Sequence, residues 1–164
     1  MKKTYNLYRC KALTKKTARG QMISASGVKE AEEMLAEMAL SLDLIPDKNA
    51  IKALVNDSES GLYLWVDGDV CAIARIAFRD EEYARINSVY TAKSKRGRGY
   101  AGALVSALSQ MIIESGLTPT ILADESNSVS NYLDSSLGFE CVGKIYEYFK
   151  KGVPQSENAI FYLR

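Results

Sequence analysis

The sequence RINSVYTAKSKRGRGYAG, residues 85–102, joins a β-forming run to a helix through a basic, glycine-rich loop. Residues 85–91 favour a strand, and residues 100–112 repeat apolar side chains at helical spacing. Unpaired first-turn amides and the helix dipole attract anions. Gly97 and Gly99 let the backbone approach a ligand closely. The loop also carries four cations: Lys93, Lys95, Arg96 and Arg98. These features predict a pyrophosphate site.

The chain before this loop predicts strands, an amphipathic helix pair and a β-meander. The predicted strands are 5–13, 21–25, 62–66 and 70–78, and the predicted helices are 28–42 and 47–55. Strand 5–13 mixes β-formers with charges and is interpreted as an edge strand. Asp67-Gly68-Asp69 indicates an antiparallel hairpin. Ser26 or Gly27 is expected to cap the first helix, and its acidic face, 30–37, is interpreted as solvent-facing.

The chain after the loop alternates helices with short strands. We expect a buried strand at 119–123, a short helix at 127–136, and closing strands at 139–149 and 159–163. The pattern predicts a mixed α/β fold on one sheet. We expect one domain over residues 1–164, with a variable N-terminal part (1–60), a core (62–150) and a closing turn and strand (151–164).

Length and composition restrict the chemistry. The chain has 164 residues and nearly balanced charge, with 21 Lys and Arg against 20 Asp and Glu. This balance argues against nucleic-acid or membrane-surface partners. There is no histidine, which excludes Ser-His-Asp catalysis and His-based zinc or haem sites, and we expect no metal. Scattered cysteines and the lack of an apolar leader predict a cytoplasmic protein.

One interpretation of the loop is a dinucleotide site. Residues 97–102, GRGYAG, fit G-x-G-x-x-G, and Asp124 follows at the end of the next predicted strand. Five residues separate Thr91 from Gly97, however, and the preceding strands form a meander. Too little chain follows Asp124 to complete a doubly wound sheet. A Rossmann-type oxidoreductase is therefore the third alternative.

A second interpretation covers more of the chain. Residues 96–101, RGRGYA, resemble the Arg/Gln-x-x-Gly-x-Gly/Ala signature of the GNAT superfamily of acetyl-CoA-dependent N-acetyltransferases. The strand 89–91 resembles the one that precedes that signature. Residues 127–131, NSVSN, followed by Gly138-Phe139, resemble the family's N-x-x-S-N and Gly-Phe segment. The resemblance extends over about residues 62–149.

The resemblance implies a GNAT-like fold and acetyl transfer from acetyl-CoA to a primary amine by direct attack. This fold has a twisted, mainly antiparallel sheet flanked by helices. The sheet opens for CoA where two strands diverge: the strand before the basic loop and the strand after the helix that follows the loop. By resemblance, the strand backbone binds pantetheine and the thioester, the loop amides bind pyrophosphate, and polar residues after the next strand contact the cofactor. The strand residues are Val89, Tyr90 and Thr91. The loop residues are Arg96, Gly97, Arg98, Gly99, Tyr100 and Ala101. The polar residues after the next strand are Asn127, Ser130 and Asn131.

The sequence departs from the family at the catalytic acid. Family members commonly carry Tyr four residues before Gly-Phe, where this chain has Asp134. A carboxyl can replace that acid only if burial raises its pKa well above ~3.9; otherwise Asp134 is a solvated helix residue. Tyr90 is a second catalytic candidate, with packing or cofactor contact as its other role. A catalytically weak CoA-binding module is therefore the main alternative function.

The acceptor is left open by the sequence. A small amine, a peptide N-terminus and a lysine side chain all fit the expected chemistry. Residues 56–61 and 79–84, in the irregular segments expected on the substrate side, carry no recognisable motif. A homodimer through the late strands is a further open alternative.

Overall fold

The computed structural model describes residues 2–149, which form seven strands and four helices. The predicted closing strand at 159–163 lies outside the described residues. The elements are β1 (Lys2–Cys10), β2 (Gln21–Ser24), α1 (Lys29–Ser41), α2 (Lys48–Asn56), β3 (Leu62–Asp67), β4 (Asp69–Arg79), β5 (Tyr83–Thr91), α3 (Tyr100–Glu114), β6 (Thr118–Asp124), α4 (Ser128–Ser136) and β7 (Phe139–Tyr148).

The strands form one sheet in the order β2-β3-β4-β5-β6-β1-β7. The pairing of β5 with β6 is parallel, and the other pairings within residues 2–149 are antiparallel. The predicted mixed α/β fold with a mainly antiparallel sheet is confirmed. The doubly wound parallel sheet that a Rossmann-type enzyme needs does not occur in this part of the chain.

Two apolar layers sandwich the sheet. One layer packs α3 and part of α4 against the strands, and the other packs α1 and α2. Ala72 and Ala74 of β4 belong to the first layer, whereas Ile73 between them belongs to the second. This alternation places the two layers on opposite faces of the sheet. The central helix α3 is buried along Leu104, Leu108 and other residues of one stripe, and each such side chain contributes roughly 1.5–3 kcal/mol.

Two local predictions need correction. The first strand is not an edge strand, because β1 lies between β6 and β7 and pairs with both. The N-cap of α1 is Val28, which makes no side-chain cap hydrogen bond, rather than Ser26 or Gly27. The Asp47 side chain does cap α2, accepting from the amides of Asn49 and Ala50.

Across the described span, no helix is both long enough and apolar enough to cross a membrane.

Candidate functional site

The sheet opens between β5 and β6. Their parallel pairing runs from Tyr83–Thr118 to Ile86–Ile121, and beyond that point β5 continues to pair with β4. Ile73 pairs with Tyr90, and Arg75 pairs with Asn87. Between these two pairs β4 has one residue and β5 has two. This is a β-bulge. Ser88 lies within it at φ 51°, in the left-handed region. A bulge bends the strand that carries it, and after Ile86 the edge of β5 is no longer paired with β6.

The basic loop leads from this edge to α3. Gly97 and Gly99 have φ values of 77° and 80°, and a Cβ on either would meet no atom within 4 Å. Backbone conformation, rather than crowding, therefore favours glycine at both positions. Gly99 is the N-cap of α3 and supplies no side-chain cap. The first-turn amides of α3 thus keep donors for an anion.

The loop cations differ in their surroundings. Arg96 and Arg98 are exposed. The Arg96 guanidinium carbon lies 5.3 Å from the ring centroid of Tyr90, and its Nε donates to the Thr91 carbonyl at 3.2 Å. The Lys95 ammonium pairs with Asp69 at 2.8 Å. Lys93, Arg96 and Arg98 are therefore the exposed cations of the loop, whereas Lys95 is held by Asp69.

Tyr90 faces α1 rather than the opening. Its side chain is 7% exposed and belongs to the apolar layer of α1 and α2. Its hydroxyl donates to Glu37 Oε1 at 2.9 Å. Burial, together with this bond to a carboxylate, raises the pKa of Tyr90 above its usual value. Val89, by contrast, packs against the α3 layer, and Thr91 is half-buried.

The polar residues at the start of α4 tie the helix to the sheet. The Asn127 side chain caps α4 by accepting from the Ser130 amide at 3.1 Å. Asn131 Nδ2 donates to the carbonyls of Asp124 and Asn127, and Asn131 Oδ1 accepts from Asn6 and Tyr8. These four bonds use the full capacity of that amide. A contact of Asn131 with a cofactor stays a prediction, and it requires one of these bonds to break.

Asp134 is buried in the α4 layer. It is 4% exposed, and among the described residues its Oδ2 has no hydrogen-bond partner. Burial raises its pKa from 3.8 to about 7. Leu133 beside it lies against the first turn of α3, 3.3 Å from where a Cβ on Gly102 would be. The solvated alternative for Asp134 is therefore wrong, and the condition for a carboxyl acid is met.

A cavity of about 390 Å³ lies between α1 and the β3–β4 hairpin. Five apolar side chains and four carboxylates line it. The wall residues are Ile23, Met34, Val66, Val70 and Ala92, with Gly68 at the turn; the acidic residues are Glu30, Glu33, Glu37 and Asp69. Glu37 is half-buried and accepts from both Tyr90 and the Lys93 amide. The interpretation of the acidic face of α1 as plain solvent face is therefore corrected at Glu37.

Comparison with known proteins identifies the family. The model of the FR47-like proteins matches residues 61–148, more than half of the chain. The chain belongs to the FR47-like family of the GNAT superfamily. Among curated proteins, none matches it. The matched span coincides closely with the motif-based resemblance, which is confirmed.

Solved structures share this GNAT fold at low sequence identity. A GNAT-family protein from Novosphingobium aromaticivorans is 18% identical, with a TM-score of 0.66 over 89% of this chain and 63% of its own. A GNAT acetyltransferase from Colwellia psychrerythraea has the same identity and TM-score, over 89% and 56%. A Clostridium acetobutylicum acetyltransferase solved with acetyl-CoA is 14% identical, with a TM-score of 0.59 over 86% and 98%. The chain spans about three fifths of the first two proteins.

The sequence patterns did not indicate that the acidic residues of this GNAT protein's cavity belong to the site. Glu30, Glu33 and Glu37 share one face of α1 at i, i+3 and i+7 spacing, a pattern that any solvated helix face also shows. What distinguishes Glu37 is its contact with Tyr90, 53 positions away in the chain. Helical periodicity carries no information on such a contact.

Proposed function

We propose that this GNAT protein transfers an acetyl or acyl group from acetyl-CoA to a primary amine by direct attack. The observation that carries the proposal is the opened strand edge of β5, which leads to the uncapped first turn of α3. A thioester on a pantetheine arm supplies an activated acyl carbon. The exposed edge of β5 offers backbone hydrogen bonds to an extended arm, and the open space before Gly97 and Gly99 accepts a pyrophosphate.

The donor side is held by this chain's own groups. Backbone atoms of Val89, Tyr90 and Thr91 bind the pantetheine arm, and one N–H of that strand donates to the thioester oxygen as negative charge develops there. The amides of the α3 first turn bind the pyrophosphate. Arg96 and Arg98 add positive charge because both are exposed beside that turn.

The cavity beside α1 supports an amine as the acceptor. Its carboxylates favour a cation, and its apolar wall accommodates a short alkyl chain. Glu37 connects the cavity to β5 through the Tyr90 hydroxyl. An ammonium ion must lose a proton before it can attack, and the cavity carboxylates accept that proton directly or through water. We expect acceptors that carry a second positive charge to be preferred.

Asp134 supplies the proton for the leaving group. The C–N bond forms as the C–S bond breaks, and the Asp134 proton moves to the departing sulfur to give the free thiol. Burial, which raises the pKa of Asp134 to about 7, supports this role because a large protonated fraction persists at neutral pH. Leu133, the preceding residue of α4, lies against the first turn of α3, so α4 adjoins the proposed donor site.

A turnover assay tests the proposal. Purified protein is incubated with acetyl-CoA and a panel of monoamines, diamines and lysine-containing peptides, and free thiol and product mass are measured. We expect amine-dependent thiol release and a mass gain of one acetyl group, with matched alcohols inactive. Glu33→Gln should raise KM for the amine several-fold and leave KM for acetyl-CoA unchanged. CoA binding without turnover on any amine would support the binding-module alternative.

A further inference from the structure

The loop between β5 and α3 is fastened at three places by carboxylates from other elements. Glu37 of α1 accepts from the Lys93 amide at 3.2 Å, at the start of the loop. Asp69 of the hairpin turn pairs with the Lys95 ammonium at 2.8 Å. Asp67, on the other side of the same turn, accepts from the Tyr100 hydroxyl at 2.6 Å, where the loop becomes helix.

These contacts divide the loop side chains into two groups. Lys95 is mostly covered, with 23% of its side chain exposed, and Tyr100 is buried. Both polar ends are bound by the Asp67–Gly68–Asp69 turn. Arg96 and Arg98 stand exposed between them. The turn therefore binds Lys95 and Tyr100, whereas the guanidinium groups of Arg96 and Arg98 stay exposed, Arg96 against the Tyr90 ring and the Thr91 carbonyl.

The electrostatics of the loop indicate what these carboxylate contacts do. Four cations within six residues repel one another. The pairing with Asp69 lowers the pKa of that carboxyl and raises the pKa of Lys95, so each group stabilises the charged form of the other. Asp67 likewise raises the pKa of Tyr100 and keeps its hydroxyl protonated as a donor. A loop ordered before the ligand arrives loses less entropy on binding.

We infer that Asp67 and Asp69 are positioning residues that hold the phosphate-binding loop in its binding conformation. The inference rests on the proposed binding of CoA by this loop. It assigns the β3–β4 hairpin turn a function in donor affinity. Without the two carboxylates, Lys95 and Tyr100 lose these contacts, and the loop before α3 is held less firmly.

The sign of the effect distinguishes positioning from simple charge. Removing an acidic group near a basic loop increases the local positive charge, and Coulomb's law alone predicts tighter binding of the anionic CoA. Loss of positioning predicts weaker binding. Asp67→Ala and Asp69→Ala therefore have opposite expected results under the two explanations.

Calorimetric titration with CoA and with pantetheine, which lacks phosphate, is the test. We expect each variant to raise the Kd for CoA several-fold, with the smaller effect for the exposed Asp69, and to leave the Kd for pantetheine unchanged. Asp69→Glu should restore affinity to within twofold of wild type. Glu140→Ala, which removes the exposed pair with Lys11, is the matched control and should leave both constants unchanged.

The outcomes separate the two proposals. Equal or tighter CoA binding by both alanine variants overturns the positioning role and leaves the proposed function intact. Equal weakening for CoA and pantetheine also overturns it, because the effect then reflects general damage to the fold. Absence of CoA binding by the wild-type protein contradicts the proposed function itself.

Discussion

At the scale of single residues, Asp134 is the most consequential departure from the family pattern. A Tyr at this position needs no special environment to stay protonated, because its ordinary pKa is ~10. An Asp needs burial, and α4 provides it: the carboxyl is 4% exposed and its pKa lies at about 7. With Asp in place of Tyr, a protonated side chain is still present at this position, but only over a lower pH range.

This burial makes stability depend on pH. The folded-state pKa of Asp134 is raised above the unfolded value of 3.8, so the folded state binds more protons between the two values and stability falls as pH rises. From pH 5 to pH 8, wild type should lose about 2–3 kcal/mol relative to Asp134→Asn. Urea unfolding of both proteins at pH 5, 6, 7 and 8 measures the difference. A difference that does not vary with pH contradicts the raised pKa.

The same proton should appear in the kinetics. If Asp134 protonates the leaving sulfur, wild-type kcat falls above pH about 7 as the carboxyl ionises. Asp134→Asn should lower kcat about 100-fold and abolish that fall. Ser135→Ala, an exposed neighbour on α4, is the control and should match wild type. If Asp134→Asn has the same kcat as wild type, Asp134 does not take part in the reaction.

Gly99 and Gly116 form a matched pair for testing the loop backbone. Both have positive φ, 80° and 86°, and a Cβ on either meets no atom within 4 Å. Alanine at either position should cost about 1–2 kcal/mol in unfolding free energy through backbone strain. Only Gly99→Ala should also weaken CoA binding, because Gly116 follows the far end of α3. Equal CoA affinity in the two variants, measured by calorimetry, contradicts a ligand role for the loop backbone.

At the scale of elements, local patterns predicted most of the helices and strands. The helical spacing of residues 100–112 and the Asp-Gly turn each depend on neighbours in the chain, so sequence alone contains the information. The position of β1 does not follow from such patterns. Its mixture of apolar and charged residues suits an edge strand, but long-range pairing with β6 and β7 places it inside the sheet. The order of strands is a tertiary property.

The same distinction applies to the candidate site. The loop glycines and Arg96 were predicted because their chemistry is contiguous in the chain. Glu37 was missed because its burial depends on Tyr90. The burial of Asp134 could not be predicted, because the sequence places this residue on a helix but does not show which face of the helix is buried.

The junction of α4 with β1 should be a major contributor to stability. Asn131 makes four hydrogen bonds and connects α4 to two β1 residues, Asn6 and Tyr8. Asn131→Ala should cost about 3 kcal/mol, because several half-buried partners lose their bonds. Asn127→Ala, which removes only a helix cap, should cost about 1 kcal/mol. Urea unfolding gives both values, and equal losses contradict the assignment of Asn131 as the main tie.

At the scale of the whole molecule, a formal net charge of +1 hides two regions of opposite sign. The cavity beside α1 is acidic, and the loop before α3 is basic. Both adjoin the end of β5, since Glu37 contacts Tyr90 and the Lys93 amide. Local fields of opposite sign attract an anionic donor and a cationic acceptor to neighbouring places.

The central claim is that the opening between β5 and β6, with the loop that follows it, binds the acyl donor. Calorimetric titration with CoA, acetyl-CoA and NADH, on wild type and on the Arg96→Ala/Gly99→Glu double variant, tests it most directly. We predict micromolar binding of both CoA species by wild type, loss of that binding in the double variant, and no binding of NADH. No CoA binding by wild type, or undiminished binding by the double variant, would contradict the account.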